Sequence, residues 1–317
     1  MNKANPAPEI GRNRIKKAVI NVLTFATIFL ILYFIFIKRH IILDSIARHP
    51  YYFAFLWLLY ILCRVLDGLN LKIIFKFMGF RLKTAEWLGL PILTFFYSFA
   101  VPNAGLVTNA LYLKSRHKFT ISNYLSVGIM RTLTQILVSI IIGLVCTLSI
   151  LRYNYRFLNE LLLIYMIGLI SIAVVYVFSW LKVYEKINSH PRIAKVLSTV
   201  RVLLSDRKLF WKLFVIQMFT LIAFSSRYYI IFKMLDNNPY FLRVLSMVPV
   251  VDLSQVVSIL PSNLGVKEFM TTIGSRIIDY PLETGLFVAV IDRIVTLIGN
   301  FASGVYFFFK LKYSESI

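Results

Sequence analysis

Ile73-Ile74-Phe75-Lys76 recurs as Ile230-Ile231-Phe232-Lys233, and the residues that follow each copy stay in step. Pro91 answers to Pro249, Pro102 to Pro261, Arg131 to Arg293 and Gly143 to Gly304. The turn Pro102-Asn103-Ala104-Gly105 aligns with Pro261-Ser262-Asn263-Leu264-Gly265. The offset drifts only between 157 and 162 residues. One shared apolar tetrapeptide could be chance. An ordered series of landmarks is the mark of an internal duplication.

The composition says what kind of unit is duplicated. Hydrophobic residues make up 59% of the 317 residues, with a mean hydropathy of +0.75, whereas soluble domains lie near about 45–50% apolar. Runs long enough to cross a bilayer occur at 18–37, 161–181 and 286–309, where about 20 apolar residues suffice. The first run is longer than a signal-peptide core, and no small-residue cleavage site follows it. The net charge of +21 would suggest nucleic acid in a soluble protein. In so apolar a chain it points instead to a membrane surface with anionic headgroups. Cys63 and Cys146 lie inside hydrophobic segments and read as small buried hydrophobes. His40, His49, His117 and His190 have no ligand spacing. No metal and no cofactor is expected.

Charge then selects a topology. If all eight hydrophobic segments cross, Lys and Arg divide almost evenly between the two sides. If the segments at 87–113 and 244–280 enter and return as re-entrant hairpins, six helices cross, near 18–37, 51–76, 124–150, 161–181, 209–233 and 284–309. The basic residues then divide 22 inside against 9 outside, as the positive-inside rule requires. The sequence therefore predicts an all-α polytopic membrane bundle of about six crossing helices plus two re-entrant helical hairpins. It also predicts an inverted repeat, because the two hairpins enter from opposite sides. The expected parts are a basic cytoplasmic segment at 1–17, one membrane domain at 18–310 and a cytoplasmic tail at 311–317. Within the domain, repeat one covers 51–150, repeat two 209–309, and an amphipathic cytoplasmic linker 182–208. In that linker, 189–205 carries Ile193, Val196, Leu197, Val200, Leu203 and Leu204 on one stripe. It reads as an interfacial helix or a connector with a greasy side. Both termini are expected in the cytoplasm, and the protein in the cytoplasmic membrane.

Ionisable residues at membrane depth are costly and need a partner or a wet path. Arg64 and Asp67 share one helix face at i,i+3. Arg131, Thr134 and Gln135 share another face, and Arg293, Thr296 and Asn300 the equivalent one. Asp292 adjoins Arg293 but points about 100° away. Arg227 lies late in its helix, at a depth mirroring Arg64. Asp252 and Gln255 precede the second turn and Glu268 follows it. A guanidinium fork suits phosphate, and half-helix N-termini add backbone donors. Arg64, Arg131, Arg227, Arg293, Gln135, Asn103 and Asn263 are therefore candidate substrate-binding residues. Asp67, Asp252, Glu268 and Asp292 are candidates for charge balance or proton relay. Pro102, Gly105, Pro261 and Gly265 would shape the hairpin turns. The competing expectation is that Arg64–Asp67 and Asp292–Arg293 merely neutralise each other. No phosphate loop, nucleophile triad or paired metal carboxylates are visible, so no catalytic residue is assigned.

Arg64-x-x-Asp67, Pro102-Asn103-Ala104-Gly105 with Tyr112-Leu113-Lys114, and Leu260-Pro261-Ser262-Asn263-Leu264-Gly265-Val266-Lys267-Glu268 carry a likeness. Through them the chain resembles the flippase-like membrane region of lysylphosphatidylglycerol synthases, as a stand-alone member without the aminoacyl-transfer domain. The likeness covers about 20–310. The late turn keeps one Gly where the family commonly has a pair, and the early turn lacks the charged residues often found after its Pro. The resemblance implies movement of a lipid or lipid-linked headgroup between leaflets, or a role in envelope glycolipid assembly. The expected function is translocation of an anionic phospholipid or polyprenyl-phosphate-linked lipid. The alternatives are a membrane lipid-phosphate transferase and a scaffold for envelope-biosynthesis enzymes. Nucleic acid is not an expected partner.

Overall fold

The computed structural model describes residues 29, 33, 36–100, 104–150, 158–180, 198–199, 202, 205–254 and 263–313. Regular structure among them is entirely helical. After a helical stretch at 36–48 come α1 (Pro50–Phe77), α2 (Thr84–Ala100), α3 (Ala104–His117), α4 (Ile121–Ile150) and α5 (Leu158–Trp180). Then follow α6 (Arg207–Met234), α7 (Phe241–Ser254), α8 (Val266–Ile277) and α9 (Leu282–Tyr313).

The repeated tetrapeptide is the last turn of equivalent helices. Phe75 O accepts the Phe80 N–H at 2.9 Å, and Phe232 O accepts the Asn237 N–H at 3.0 Å. Each bond closes a helix end through a left-handed residue, Gly79 (φ 85°) in one copy and Asp236 (φ 58°) in the other. Ile74, Phe75, Ile231 and Phe232 are all fully buried. Apolar side chains for packing and a free Phe carbonyl for the cap account for the shared pattern. Pro50 starts α1, where its missing N–H costs nothing. Asp206 caps α6 by accepting the Leu209 N–H at 2.9 Å.

Among the described residues four helices are long and apolar enough to cross a membrane: α1, α4, α6 and Leu282–Leu311 of α9. The expected span at 161–181 falls on α5, whose described apolar stretch is Asn159–Val174. The expected span at 18–37 and the linker stripe at 189–205 lie almost wholly outside the described residues. The protein is a polytopic helical membrane protein.

The segments expected to be re-entrant form two pairs of short helices. Their lengths are 17 and 14 residues (α2, α3) and 14 and 12 residues (α7, α8). At 1.5 Å per residue the described parts of these helices span about 18–26 Å, against a hydrocarbon core of ~30 Å. Pro91 and Pro249 lie inside α2 and α7 respectively. The arms of each pair are antiparallel. Asn109 Nδ2 donates to Leu90 O at 2.7 Å and Tyr112 Oη to Glu86 Oε1 at 3.1 Å. Near the tip, Gly105 sits against the backbone of Thr94, where any Cβ would collide. In the second pair Asn263 Nδ2 donates to Ser254 O at 3.1 Å, and Gly274 lies against Met247.

Helix directions follow from the same contacts. α1 and α6, equivalent in the alignment, run antiparallel. Arg48 pairs with Asp236 at 3.1 Å, the Tyr60 ring lies 5.8 Å from the Arg227 guanidinium, and Asn70 donates to Gln217 at 3.2 Å. α2 returns along α1, with Phe95 against Arg64 and Trp87 against Lys72. α9 runs against α2, with Gly304 on Phe96 and Gly89 on Phe307. α8 runs against α9, with Lys267 on Asp292 and Ser275 on Gly285. α7 runs against α8. The two helix pairs therefore open in opposite directions.

Candidate functional site: a polar cavity between two hairpins

A cavity of about 390 Å³ lies where the tips of both hairpins meet the middles of α1, α4, α6 and α9. The first hairpin contributes Thr94, Phe95, Ser98 and Leu106, and the second Asp252, Asn263 and Lys267. Arg64, Arg131, Arg227 and Arg293 all line it, with Asp67 and Gln135. Residues as far apart in sequence as Cys63 and Asn300 are thus brought to one space by antiparallel packing of the two halves.

Every one of the four arginines has a carboxylate. Asp67 on α1 takes two of them: Arg131 Nη2 donates to Oδ1 at 2.6 Å, and Arg64 Nη1 lies 3.3 Å from Oδ2. Asp292 on α9 also takes two cations, Arg227 and Lys267, each at 2.5 Å. Arg293 Nε donates to Glu268 Oε1 at 2.6 Å. Asp252 accepts from Gln135 Nε2 at 2.9 Å and from Ser139 Oγ at 2.7 Å. The i,i+3 pair Arg64–Asp67 forms as expected, but the shorter bond of Asp67 crosses to α4. The adjacent Asp292 and Arg293 do not neutralise each other. A 100° turn of the helix separates them, and each finds its partner on another element.

Glu268 also builds the backbone that positions it. Its Oε2 accepts the Gly265 N–H at 2.8 Å while Oε1 holds Arg293. Gly265 has φ 82° at the start of α8, a conformation open to glycine and costly to residues with a Cβ. Asn263 adopts φ 56° and lines the cavity. One expected donor at this helix start, the Gly265 N–H, is therefore already taken by Glu268.

Among the described residues some guanidinium donors make no hydrogen bond. Arg64 Nε and Arg227 Nε are buried with no hydrogen-bond partner there, and Arg64 Nη1 has only its ion-pair contact with Asp67. Both guanidinium groups flank Tyr60, at 5.4 and 5.8 Å from its ring centre. Arg64 also stacks on Phe95 at 4.3 Å. Tyr60 Oη donates to Asn300 Oδ1 at 2.7 Å. Aromatic faces partly replace the water that the guanidinium groups have lost.

Several expectations need adjustment. Lys267 counted as a basic loop residue on the outer side. It is instead partly buried and turned inward onto Asp292, with its ammonium 5.1 Å from the Phe224 ring. Its place next to Glu268 in the Pro–Gly–Glu motif was the available signal. Thr134 does not face the cavity with Arg131 and Gln135. It is buried and donates to Met130 O at 2.8 Å, while Thr132 lines the space. Thr296 and Asn300 line the cavity with Arg293. Glu268 and Asp292 stand behind the lining and hold its cations. Gly105 and Gly265 sit at the hairpin tips. Pro102, Asn103, Gln255 and Pro261 lie outside the described residues.

The lysylphosphatidylglycerol synthase TM region family matches residues 19–304. The chain belongs to this family. The match runs from before α1 into α9 and includes both hairpins and all the cavity residues named above. No curated protein and no solved structure matches the chain.

Proposed function

We propose that this protein translocates an anionic lipid, or a lipid-linked phosphate headgroup, between the leaflets of the cytoplasmic membrane. The observation that carries this reading is the convergence of Arg64, Arg131, Arg227, Arg293 and Lys267 on one cavity between two oppositely directed hairpins. Buried donors without acceptors cost about 1–3 kcal/mol each. The open N–H groups of Arg64 and Arg227 are satisfied if a phosphate oxygen enters. Asp67, Glu268 and Asp292 offset the charge of these five cations.

The antiparallel relation of α1 to α6, and of α2 to α7, supports an inverted repeat of 51–150 and 209–309. Sites of transporters built this way lie at the repeat interface near the bilayer midplane. The ends of the helices carry the orientation. Lys76, Arg81, Lys83, Lys114, Arg116, Arg207 and Lys208 gather at the end where α1 finishes and α6 begins. The positive-inside rule makes that end cytoplasmic. Rocking one repeat against the other then exposes the cavity to each leaflet in turn.

Purified protein in vesicles containing fluorescent phospholipids tests this directly. Quenching of outer-leaflet label should show protein-dependent exchange, and Arg64→Ala and Arg227→Ala should slow it about tenfold or more. No exchange of any phosphate lipid would overturn the reading. Turnover of a lipid-phosphate in detergent, where there are no leaflets, would favour a transferase. Envelope defects rescued by variants neutralised at Asp252, Glu268 and Arg293 would favour a scaffold.

A further inference from the structure

A second space flanks the first hairpin. It is a groove of about 640 Å³ between α2, α3 and the end of α9. α2 divides it from the central cavity: Thr94, Phe95 and Ser98 face the cavity, while Leu90, Leu93 and Tyr97 face the groove. Leucine and aromatic side chains make up most of its wall. Three of its polar side chains are engaged within the protein. Asn109 Nδ2 donates to Leu90 O and to Thr94 Oγ1, each at 2.7 Å, Tyr112 Oη donates to Glu86 Oε1, and Ser115 Oγ donates to Tyr112 O. Among the described residues Lys114 is the only charged side chain that lines the groove. It is exposed in the last turn of α3 and pairs with no carboxylate there. The nearby carboxylate, Glu86, is already held by Arg116 at 3.3 Å and His117 at 2.9 Å.

We propose that this groove holds an anionic phospholipid as a resident ligand, with one acyl chain between α2, α3 and α9 and its phosphate at Lys114. The site is separate from the central cavity and stands whatever that cavity carries. Its two ends differ in the way the two ends of a lipid differ. Lys114 and Leu311 lie near the ends of α3 and α9, at His117 and Tyr313, where the basic helix ends gather. Tyr97 and Thr108 lie deeper, toward the hairpin tip. From Thr108 to Ser115 the groove follows α3 for about 10 Å. A lysine stem laid along an apolar wall brings its ammonium to headgroup depth. The sign of the charge selects the lipid. An anionic headgroup complements Lys114, whereas a phosphocholine headgroup brings a cation of its own beside it.

Photolabelling of the whole chain tests this. The protein in phosphatidylcholine nanodiscs receives a trace of phosphatidylserine or phosphatidylcholine with a diazirine midway along one acyl chain, and labelled peptides are mapped by mass spectrometry. Label should concentrate at 108–115 and 308–311, above the level on the exposed face of α5 at Ile167 and Ile170. Phosphatidylserine should label the groove about fivefold more than phosphatidylcholine, the effect of one lysine near the headgroups. Lys114→Gln should remove that preference and Lys114→Arg should keep it. Leu111→Trp, at an exposed position in the groove wall, should fill the groove and lower labelling by both lipids, with the unfolding temperature unchanged. Arg64→Ala should leave groove labelling unaltered, which separates it from label entering the central cavity. Equal labelling by the two lipids, a preference that survives Lys114→Gln, or groove label no higher than that on α5 would overturn the proposal. So would capture of residues 18–35, or of a second copy of the chain, by a photoreactive benzoyl-phenylalanine replacing Leu111. Absence of lipid exchange in vesicles with groove labelling intact would overturn translocation and leave the resident lipid standing.

Discussion

Arg227 on α6 and Asp292 on α9 form an ion pair of 2.5 Å with side-chain exposures of 3% and 0%. Burying two charges is costly, and the pair offsets that cost only while both members are present. Asp292 also holds Lys267. Asp292→Asn should therefore cost about 3–5 kcal/mol of stability, seen as a large drop in unfolding temperature of the detergent-solubilised protein. Arg227→Met combined with Asp292→Leu should recover part of that stability without recovering lipid exchange. Recovery of exchange by the double variant would remove Arg227 from the proposed binding site.

Glu268 and Gly265 are joined by one hydrogen bond of 2.8 Å. Gly265→Ala forces a Cβ into φ 82° and should cost about 1–2 kcal/mol. Glu268→Gln can still accept the Gly265 N–H but no longer pairs with Arg293. It should keep most of the stability and lose exchange activity, whereas Glu268→Ala should lose both. Thermal unfolding and vesicle exchange on the same preparations separate the two outcomes.

Ser115 and Asp279 are exposed at opposite ends of the bundle. With Cys63 and Cys146 replaced by Ala, Ser115→Cys should react with an impermeant maleimide only from the cytoplasmic side. Asp279→Cys should react only from the other side. Labelling of both from one side would overturn the opposed hairpins as membrane topology.

Glu86 starts the first hairpin outside the four long spans, and is almost fully buried. Burial alone would raise the pKa of its carboxyl. Hydrogen bonds from His117, the Lys83 N–H and Tyr112 outweigh burial and hold it below the ordinary 4.5. A depressed folded value means that the stabilisation is present above about pH 4.5 and is lost as pH falls through the folded value. Between pH 6 and pH 3, wild type should lose more stability than Glu86→Gln, which lacks this titration. Parallel pH–stability curves for the two proteins would contradict the assignment.

The two pairs of short helices were legible because their signals are local. Pro91 and Pro249 fall inside short helices that the spacing of Pro and Gly already interrupts. The candidate arginines were legible too, because an ionisable residue in an apolar run needs a reason wherever it points. Lys267 was misread because charge alone does not tell a surface lysine from one turned inward beside Phe224 and Asp292. Thr134 was misread because helical periodicity gives a shared face but not which neighbour covers its edge.

The sequence by itself determined the helical membrane class, the order of long and short segments, and the family. These depend on hydropathy, helix breakers and spacing along the chain, which need no knowledge of partners. The pairing of charges came only with tertiary structure. Asp67 reaches across to Arg131, Asp292 turns from its neighbour Arg293 to Arg227 and Lys267, and Glu268 closes on Arg293. An ion pair is set by distances of a few ångströms between helices that the chain separates by tens to hundreds of residues. Antiparallel packing of α1 on α6 brings those helices together, and with them the charged side chains of the cavity.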